Sequence, residues 1–247
     1  MGEADGVTVD LRYATADNLA GRPIYSHAVA MLDSRAGALL AHAVRRAASL
    51  GLRLRLYDAF RPVEAQWALW HALPDPRFVA DPRTGGGSHA RGAAVDLALE
   101  DARGALPMGT AFDAMEADSA HGAHGLPAEA VRNRALLLGL MVASGWEPYL
   151  PEWWHYQVPG SAGWPVLSAA DVPDGPMRPG LAQRMGCTNS PPVLTCQEAR
   201  LGSAQTRQGR AAPRLGATQG RPVQGGFPLA EFEAEPQPCL SVTPRGG

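Results

Sequence analysis

Between Ser34 and Leu50 apolar residues recur at Leu39, Leu40, Val44, Ala47 and Ala48, a spacing that lines one face of a helix. Asp33 or Ser34 can accept from the free amides at its start, and Gly51 can end it. Leu52, Leu54 and Leu56 then alternate with Arg53 and Arg55, the period of a strand with one buried face. Pro62 suits the first turn of a second helix from Val63 to Leu73. Asp75 to Gly87 is rich in Pro, Asp and Gly and reads as a loop. From Ala93 to Leu99 alternation returns: Val95, Leu97 and Leu99 share one face, and Asp96 points to the other beside the small Ala94 and Ala98. Pro127 to Ser144 predicts a third helix closed by Gly145, with Val131, Leu138 and Val142 turned inward. The aromatic stretch Trp146 to Tyr156 predicts a strand or a bent pair of strands. Interleaved in this way, the elements predict an α+β fold: a single domain over residues 1–170 with a small mixed or antiparallel sheet flanked by helices.

The remainder, 171–247, differs in kind. Pro and Gly interrupt it every few residues and no apolar period survives, so it buries too little to offset its ordering entropy and reads as an irregular, disordered extension. Gly226 to Phe232 is its one stretch with enough apolar character to dock. Cys187, Cys196 and Cys239 all fall in this region; an odd number at irregular spacing argues against a disulfide framework, although a Cys187–Cys196 bridge is open in an oxidising compartment.

Composition removes whole classes of function. The chain is 45% hydrophobic with a net charge of -2, and all 22 basic residues are arginine. That leaves no electrostatic footprint for nucleic acid or a membrane surface. No run approaches the roughly 18 apolar residues of a membrane span. Met1 to Gly6 has neither the basic flank nor the apolar run of a secretory signal, which reads as cytoplasmic; a start codon placed too far downstream would make the protein periplasmic.

The chemistry concentrates in two segments, Ser88-His89-Ala90-Arg91-Gly92-Ala93-Ala94-Val95-Asp96 and Glu152-Trp153-Trp154-His155. His89, Asp96 and His155 can supply the three protein ligands of a catalytic zinc, which keeps its remaining position open. Gly92 and its small neighbours let the backbone bend between the first two ligands. Glu152, three residues before His155, is placed to act as a base on water activated by the metal. A helical turn or a bent strand puts Glu152 and His155 on one side; a regular strand does not. Taken singly, each residue has a plainer reading, as a polar loop histidine or a hydrogen-bonded strand aspartate. His121 and His124 lie in a Gly-rich loop with no third ligand in sight, and His71 reads as a packed aromatic of the second helix.

The combined pattern, Ser88-His89-x6-Asp96 with Glu152-x2-His155, resembles the zinc-binding pattern of the D-alanyl-D-alanine metallopeptidases. The resemblance narrows to the D-alanyl-D-alanine dipeptidases, the type associated with vancomycin resistance. Tyr13 to Asn18, Asp58-Ala59-Phe60-Arg61-Pro62, Ser88 to Leu97, Pro107 to Asp113 and Glu152 to Tyr156 occur in family order over residues 9–160. The resemblance implies one zinc ion held by His89, Asp96 and His155, Glu152 as general base, and Arg61 as the group that stabilises the transition state. It places Tyr13, Ser88 and Asp113 at the substrate, with Asp113 suited to a dipeptide's ammonium group. The bland readings are an Asp58 salt bridge for Arg61 and a cap for Asp113. Where the family often has a serine two residues before the first histidine, this chain has Gly87, so that hydroxyl is either missing or supplied by Ser88. The implied activity is hydrolysis of D-Ala-D-Ala, with a small dipeptide as the partner. One alternative is a D,D-carboxypeptidase or endopeptidase acting on longer wall peptides; another is a non-catalytic module that keeps zinc structurally. Oligomeric state and the choice between antibiotic resistance and D-alanine recycling are not written in the sequence.

Overall fold

The computed structural model describes residues 6–178. The three cysteines and Gly226 to Phe232 lie outside the described residues. Six strands form one mixed sheet: β1 (Val7–Val9), β2 (Arg53–Asp58), β3 (Ala94–Asp101), β4 (Gly104–Ala105), β5 (Glu147–Pro148) and β6 (His155–Gln157). Their order is β1-β2-β3-β6-β5, with β4 a short hairpin partner of β3. The β1–β2 pair is parallel and the others are antiparallel.

The centre of the sheet is β3, in which every residue from Ala94 to Glu100 is buried. Val95, Leu97 and Leu99 join Leu54 and Leu56 of β2 in the main core. Each such side chain taken fully out of water contributes about 1.5–3 kcal/mol. The intervening Ala94, Asp96 and Ala98 look the other way, and Asp96 is thereby carried into the interior on the face away from Leu97.

Two long helices, α1 (Ser34–Ser49) and α3 (Ala128–Val142), pack into the main core. The α1 start is capped by the Asp33 carboxylate, which accepts from the Arg35 amide, and the chain leaves the helix through Gly51 at φ 70°. Its buried stripe is Ala36, Leu40, Ala43 and Ala47; Leu39 and Val44 pack at the margin, and Ala48 is exposed. For α3 the expected inward face is corrected. Val131 and Val142 are about half exposed, Leu138 packs at the margin of the core as expected, and the buried stripe is Ala130, Arg134, Leu137, Leu140 and Met141. The buried stripe lies one residue earlier than the pattern of branched and leucine side chains indicates, and it takes Arg134 inside.

The shorter helix α2 (Val63–Ala72) contributes Ala65, Ala68 and Leu69 to a second cluster with Leu11, Tyr13, Ile24, Tyr25 and Val79. Met177 is buried in the same cluster, and the Pro176 carbonyl accepts from the amides of Ser26 and His27. His71, expected to pack, is exposed at the end of α2 with its ring 5.7 Å from that of Trp67. Among the described residues no helix is long and apolar enough to cross a membrane.

Candidate active site

Asp96 and His155 face each other as register partners on β3 and β6, so their side chains emerge side by side. His89 comes from the single 3-10 turn His89–Arg91, which ends at Gly92 with φ 62°. A Cβ on Gly92 would lie 2.9 Å from the Asp33 amide nitrogen, so the sharp passage from His89 into β3 requires glycine. Three atoms then converge: His89 Nε2 is 3.2 Å from Asp96 Oδ1 and 3.1 Å from His155 Nδ1, and His155 Nδ1 is 3.0 Å from Asp96 Oδ1. Bonds of about 2.0–2.1 Å to a tetrahedral ion set its ligands about 3.3 Å apart, so the triangle is nearly that of a zinc site.

Outer contacts select the tautomers that such a site needs. His89 Nδ1 lies 2.6 Å from the Ala59 carbonyl and must donate to it, leaving the Nε2 lone pair for the centre. Ser88 Oγ lies 3.3 Å from His155 Nε2 and can accept a hydrogen bond from it, the arrangement that leaves Nδ1 free for the centre. Burial opposes the charge on Asp96, yet the His89 and His155 imidazoles hold its carboxyl below the usual carboxylate range. A dication at the centre would take the place of the protons that otherwise reconcile these groups. Among the described residues this is the one group of three metal-binding side chains. His121 belongs to no such cluster; its ring sits against Tyr156 at 6.0 Å.

Arg61 reaches the same place from the start of α2. It is buried, donating through Nε to Asp58 (2.8 Å), through Nη1 to Gln66 (3.0 Å) and through Nη2 to Asp96 Oδ2 (3.4 Å). The Asp58 salt bridge and a place at the pocket are therefore both true of it. Asp58 is fully buried and also accepts from the Tyr25 hydroxyl at 2.7 Å.

Glu152 occupies the reversing turn between β5 and β6, where its amide donates to the Tyr149 carbonyl and its carbonyl accepts from His155. This bend, rather than a regular strand, gives the three-residue spacing a common side. Burial raises the Glu152 carboxyl to about 7; the nearby Asp96 and Asp113 charges add to the effect, and His155 and Arg61 oppose it. Asp113 is also raised to about 7 by burial. It stands in the left-handed region at φ 61°, the one non-glycine residue to do so among those described. It caps no helix: Oδ1 accepts from the Tyr13 hydroxyl (3.0 Å) and Oδ2 from the Leu19 amide (3.4 Å). Burial and the Asp113 charge push the Tyr13 hydroxyl up, which keeps it a donor.

One cavity of about 240 Å³ collects Tyr13, Arg61, Ser88, His89, Asp96, Asp113, Glu152 and His155. It is smaller than the roughly 300–1,000 Å³ of pockets for drug-sized ligands. Gln66 and Trp154 complete its walls. Gln66 escaped the sequence reading, although a lone amide among the apolar residues of α2 was its signal. It accepts from Arg61 and donates to the Ala80 carbonyl at 2.7 Å, tying the guanidinium to the loop before His89.

An open sheet whose central strand helps to build a buried cradle of two histidines and one aspartate, beside a pocket glutamate, defines a metal-dependent hydrolase. The family model for D-Ala-D-Ala dipeptidases matches residues 3–173, and the chain belongs to this metallopeptidase family. It is similar to the D-alanyl-D-alanine dipeptidase of Escherichia coli K12, with 43% identity over 65% of this chain and 83% of the relative. The D-alanyl-D-alanine dipeptidase of Enterococcus faecium is 34% identical over 61% of this chain and 85% of its own length. The Streptomyces coelicolor protein of the same description is 36% identical, again over 61% and 85%.

Proposed function

We propose that the chain is a zinc-dependent dipeptidase that hydrolyses D-Ala-D-Ala to free D-alanine. The observation that carries this reading is the convergence of His89 Nε2, Asp96 Oδ1 and His155 Nδ1 within 3.2 Å of one another, at a small pocket that Glu152 also lines. Two imidazole nitrogens and one carboxylate oxygen at near-tetrahedral spacing suit zinc better than the all-oxygen cations. Zinc held there supplies Lewis acidity, acidifying water and polarising the scissile carbonyl.

The protein's own residues do the rest. Asp113, oriented by Tyr13 and the Leu19 amide, receives the ammonium group of the dipeptide. Glu152 takes a proton from the attacking water as the new C–O bond forms. It returns that proton to the nitrogen as the C–N bond breaks, a two-way role open to a carboxyl that burial makes more basic than a free one. Arg61, held by Asp58, Gln66 and Asp96, faces the charge that develops on the carbonyl oxygen. Its position is fixed before substrate arrives, so little reorganisation is needed at the reacting centre.

The test is D-alanine release from D-Ala-D-Ala by zinc-loaded protein, with chelated protein and the N-acetylated dipeptide alongside. Zinc-dependent release confined to the free dipeptide supports the proposal. Equal hydrolysis of the acetylated form would make the enzyme a carboxypeptidase. Zinc and dipeptide binding without turnover would make it a binding module.

A further inference from the structure

The buried arginine of α3 takes no part in the pocket, yet it governs a loop that does. Arg134 is 5% exposed, and its hydrogen bonds all go to neutral oxygens of one loop. Nε donates to the Met108 carbonyl (2.6 Å), Nη1 to those of Asp118 (2.8 Å) and Ala120 (3.1 Å), and Nη2 to Thr110 Oγ1 (3.3 Å). The planar fork therefore clasps the loop at both of its ends. Asp113, the pocket carboxylate with positive φ, lies between them.

The clasp also reaches the other side of the pocket. Thr110 Oγ1 accepts from the Trp153 indole at 2.9 Å and shares a hydrogen bond with Ser119 Oγ at 3.0 Å. The Trp153 amide donates to the Ser119 carbonyl at 2.9 Å, and Trp153 directly follows Glu152. Gly109 allows the close approach: its φ is 87°, and a Cβ there would lie 3.1 Å from Leu126 Cδ2 and 3.2 Å from Ala130 Cβ.

We propose that Arg134 is a positioning residue for the dipeptidase reaction, locking the loop from Met108 to Ala120 so that Asp113 is held opposite the Glu152–Trp153 turn. The inference rests on the reading of Asp113 as the ammonium site. Asp113 itself is held by Tyr13 and Leu19, and its neighbours by the Ser119 hydroxyl on the Ala114 carbonyl (2.6 Å) and by Phe112 packed on Tyr13, Tyr57 and Trp154. The clasp adds the tie to α3 that keeps this segment in a backbone conformation unfavourable to most side chains. The metal cradle, built on β3, β6 and the His89 turn, has no bond to Arg134 and should persist.

The test is a double-mutant cycle on the full-length zinc-loaded chain: Arg134→Met, Asp113→Ala and the pair, with kcat, KM for D-Ala-D-Ala and zinc stoichiometry read for each. Asp113→Ala should raise KM by about ten- to a hundredfold, the loss of a charge-assisted contact. Arg134→Met should raise KM by about tenfold with zinc still stoichiometric, and the pair should be no worse than Asp113→Ala alone. Gly109→Ala, which pushes the loop off α3 while leaving Arg134 intact, should raise KM in the same sense. Should Arg134→Met not fold, Arg134→Lys carries the cycle, since an ammonium cannot span these acceptors. Multiplying KM effects, or a KM within twofold of wild type in the foldable Arg134 variant, would overturn the inference. An unchanged KM in Asp113→Ala would overturn the ammonium reading itself, and this inference with it, so the two failures are told apart.

Discussion

Replacing Glu152 by glutamine should abolish turnover and at the same time make the stability of the metal-free protein fall less as pH rises. Glu152 is buried, and burial raises its carboxyl from 4.5 to about 7. An unfolded chain releases this proton near the lower value, whereas the folded chain keeps it to the higher one. Between the two the folded state binds more protons, so native stability falls as pH rises and levels off above 7. Carried from the lower value to the higher, this is worth roughly 3 kcal/mol, of which less than about 1 is already lost at pH 5. Glutamine removes the titration and preserves the shape. Its advantage over wild type should therefore grow by about 2–3 kcal/mol between pH 5 and pH 8, whatever fixed cost the amide itself brings. Asp113 titrates in the same range and its charge is one cause of the Glu152 shift, so the difference between the two proteins includes the coupling of this pair. The assay is reversible urea unfolding of chelated protein at pH 5, 6, 7 and 8. A difference that changes by less than about 0.5 kcal/mol across that range would refute the claim that Glu152 is held in a desolvated, high-pKa state. Zinc-loaded samples should show a weaker trend, because a nearby dication favours the carboxylate.

Three further outcomes are expected. Ser88→Ala removes the hydroxyl beside His155 Nε2 and should weaken zinc affinity by about ten- to a hundredfold in competition titrations, with turnover recovering at saturating zinc. Arg61→Met strands Asp58, which is fully buried; it should eliminate activity and lower unfolding free energy by about 3–5 kcal/mol in denaturant melts. Gly92→Ala places a Cβ against the Asp33 backbone at positive φ and should cost about 2 kcal/mol or more, read as a lowered thermal midpoint and a reduced zinc content.

The parts of the fold that were legible are those where one local pattern decides the outcome. The α1 cap at Asp33, the alternation of β2 and the buried run of β3 each lie within a single stretch of chain, and they form as their periods predict. The α3 interior did not follow, because hydrophobic pattern alone treats arginine as a surface residue. Arg134 is instead satisfied by loop carbonyls from more than ten residues away. Strands β1 and β4, of three and two residues, are too short to carry a period and exist through pairing with β2 and β3.

The site divides along the same line. His89 and Asp96 share one continuous motif, and the Glu152–His155 spacing marks the second half, so residue type and order are enough to nominate them. What gives these residues their chemistry comes from elsewhere in the chain: the Ala59 carbonyl sets the His89 tautomer, and Tyr25 and Gln66 brace the Asp58–Arg61 pair. The Ala59 carbonyl and Tyr25 have nothing that sets them apart in sequence, since a carbonyl belongs to every residue and a buried tyrosine to every core; Gln66 alone stands out, as an amide among the apolar residues of α2. The same logic explains why Asp113 looked ambiguous. An aspartate in a turn is ordinary, and only the closure of the Met108–Ala120 loop against Tyr13, Arg134 and Trp153 turns it into a half-buried carboxyl facing the pocket. The nomination of candidate ligands is thus local information, whereas protonation state and orientation are tertiary. Substitutions at the bracing groups should accordingly change pKa, KM and metal affinity more than they change which metal-binding residues are present.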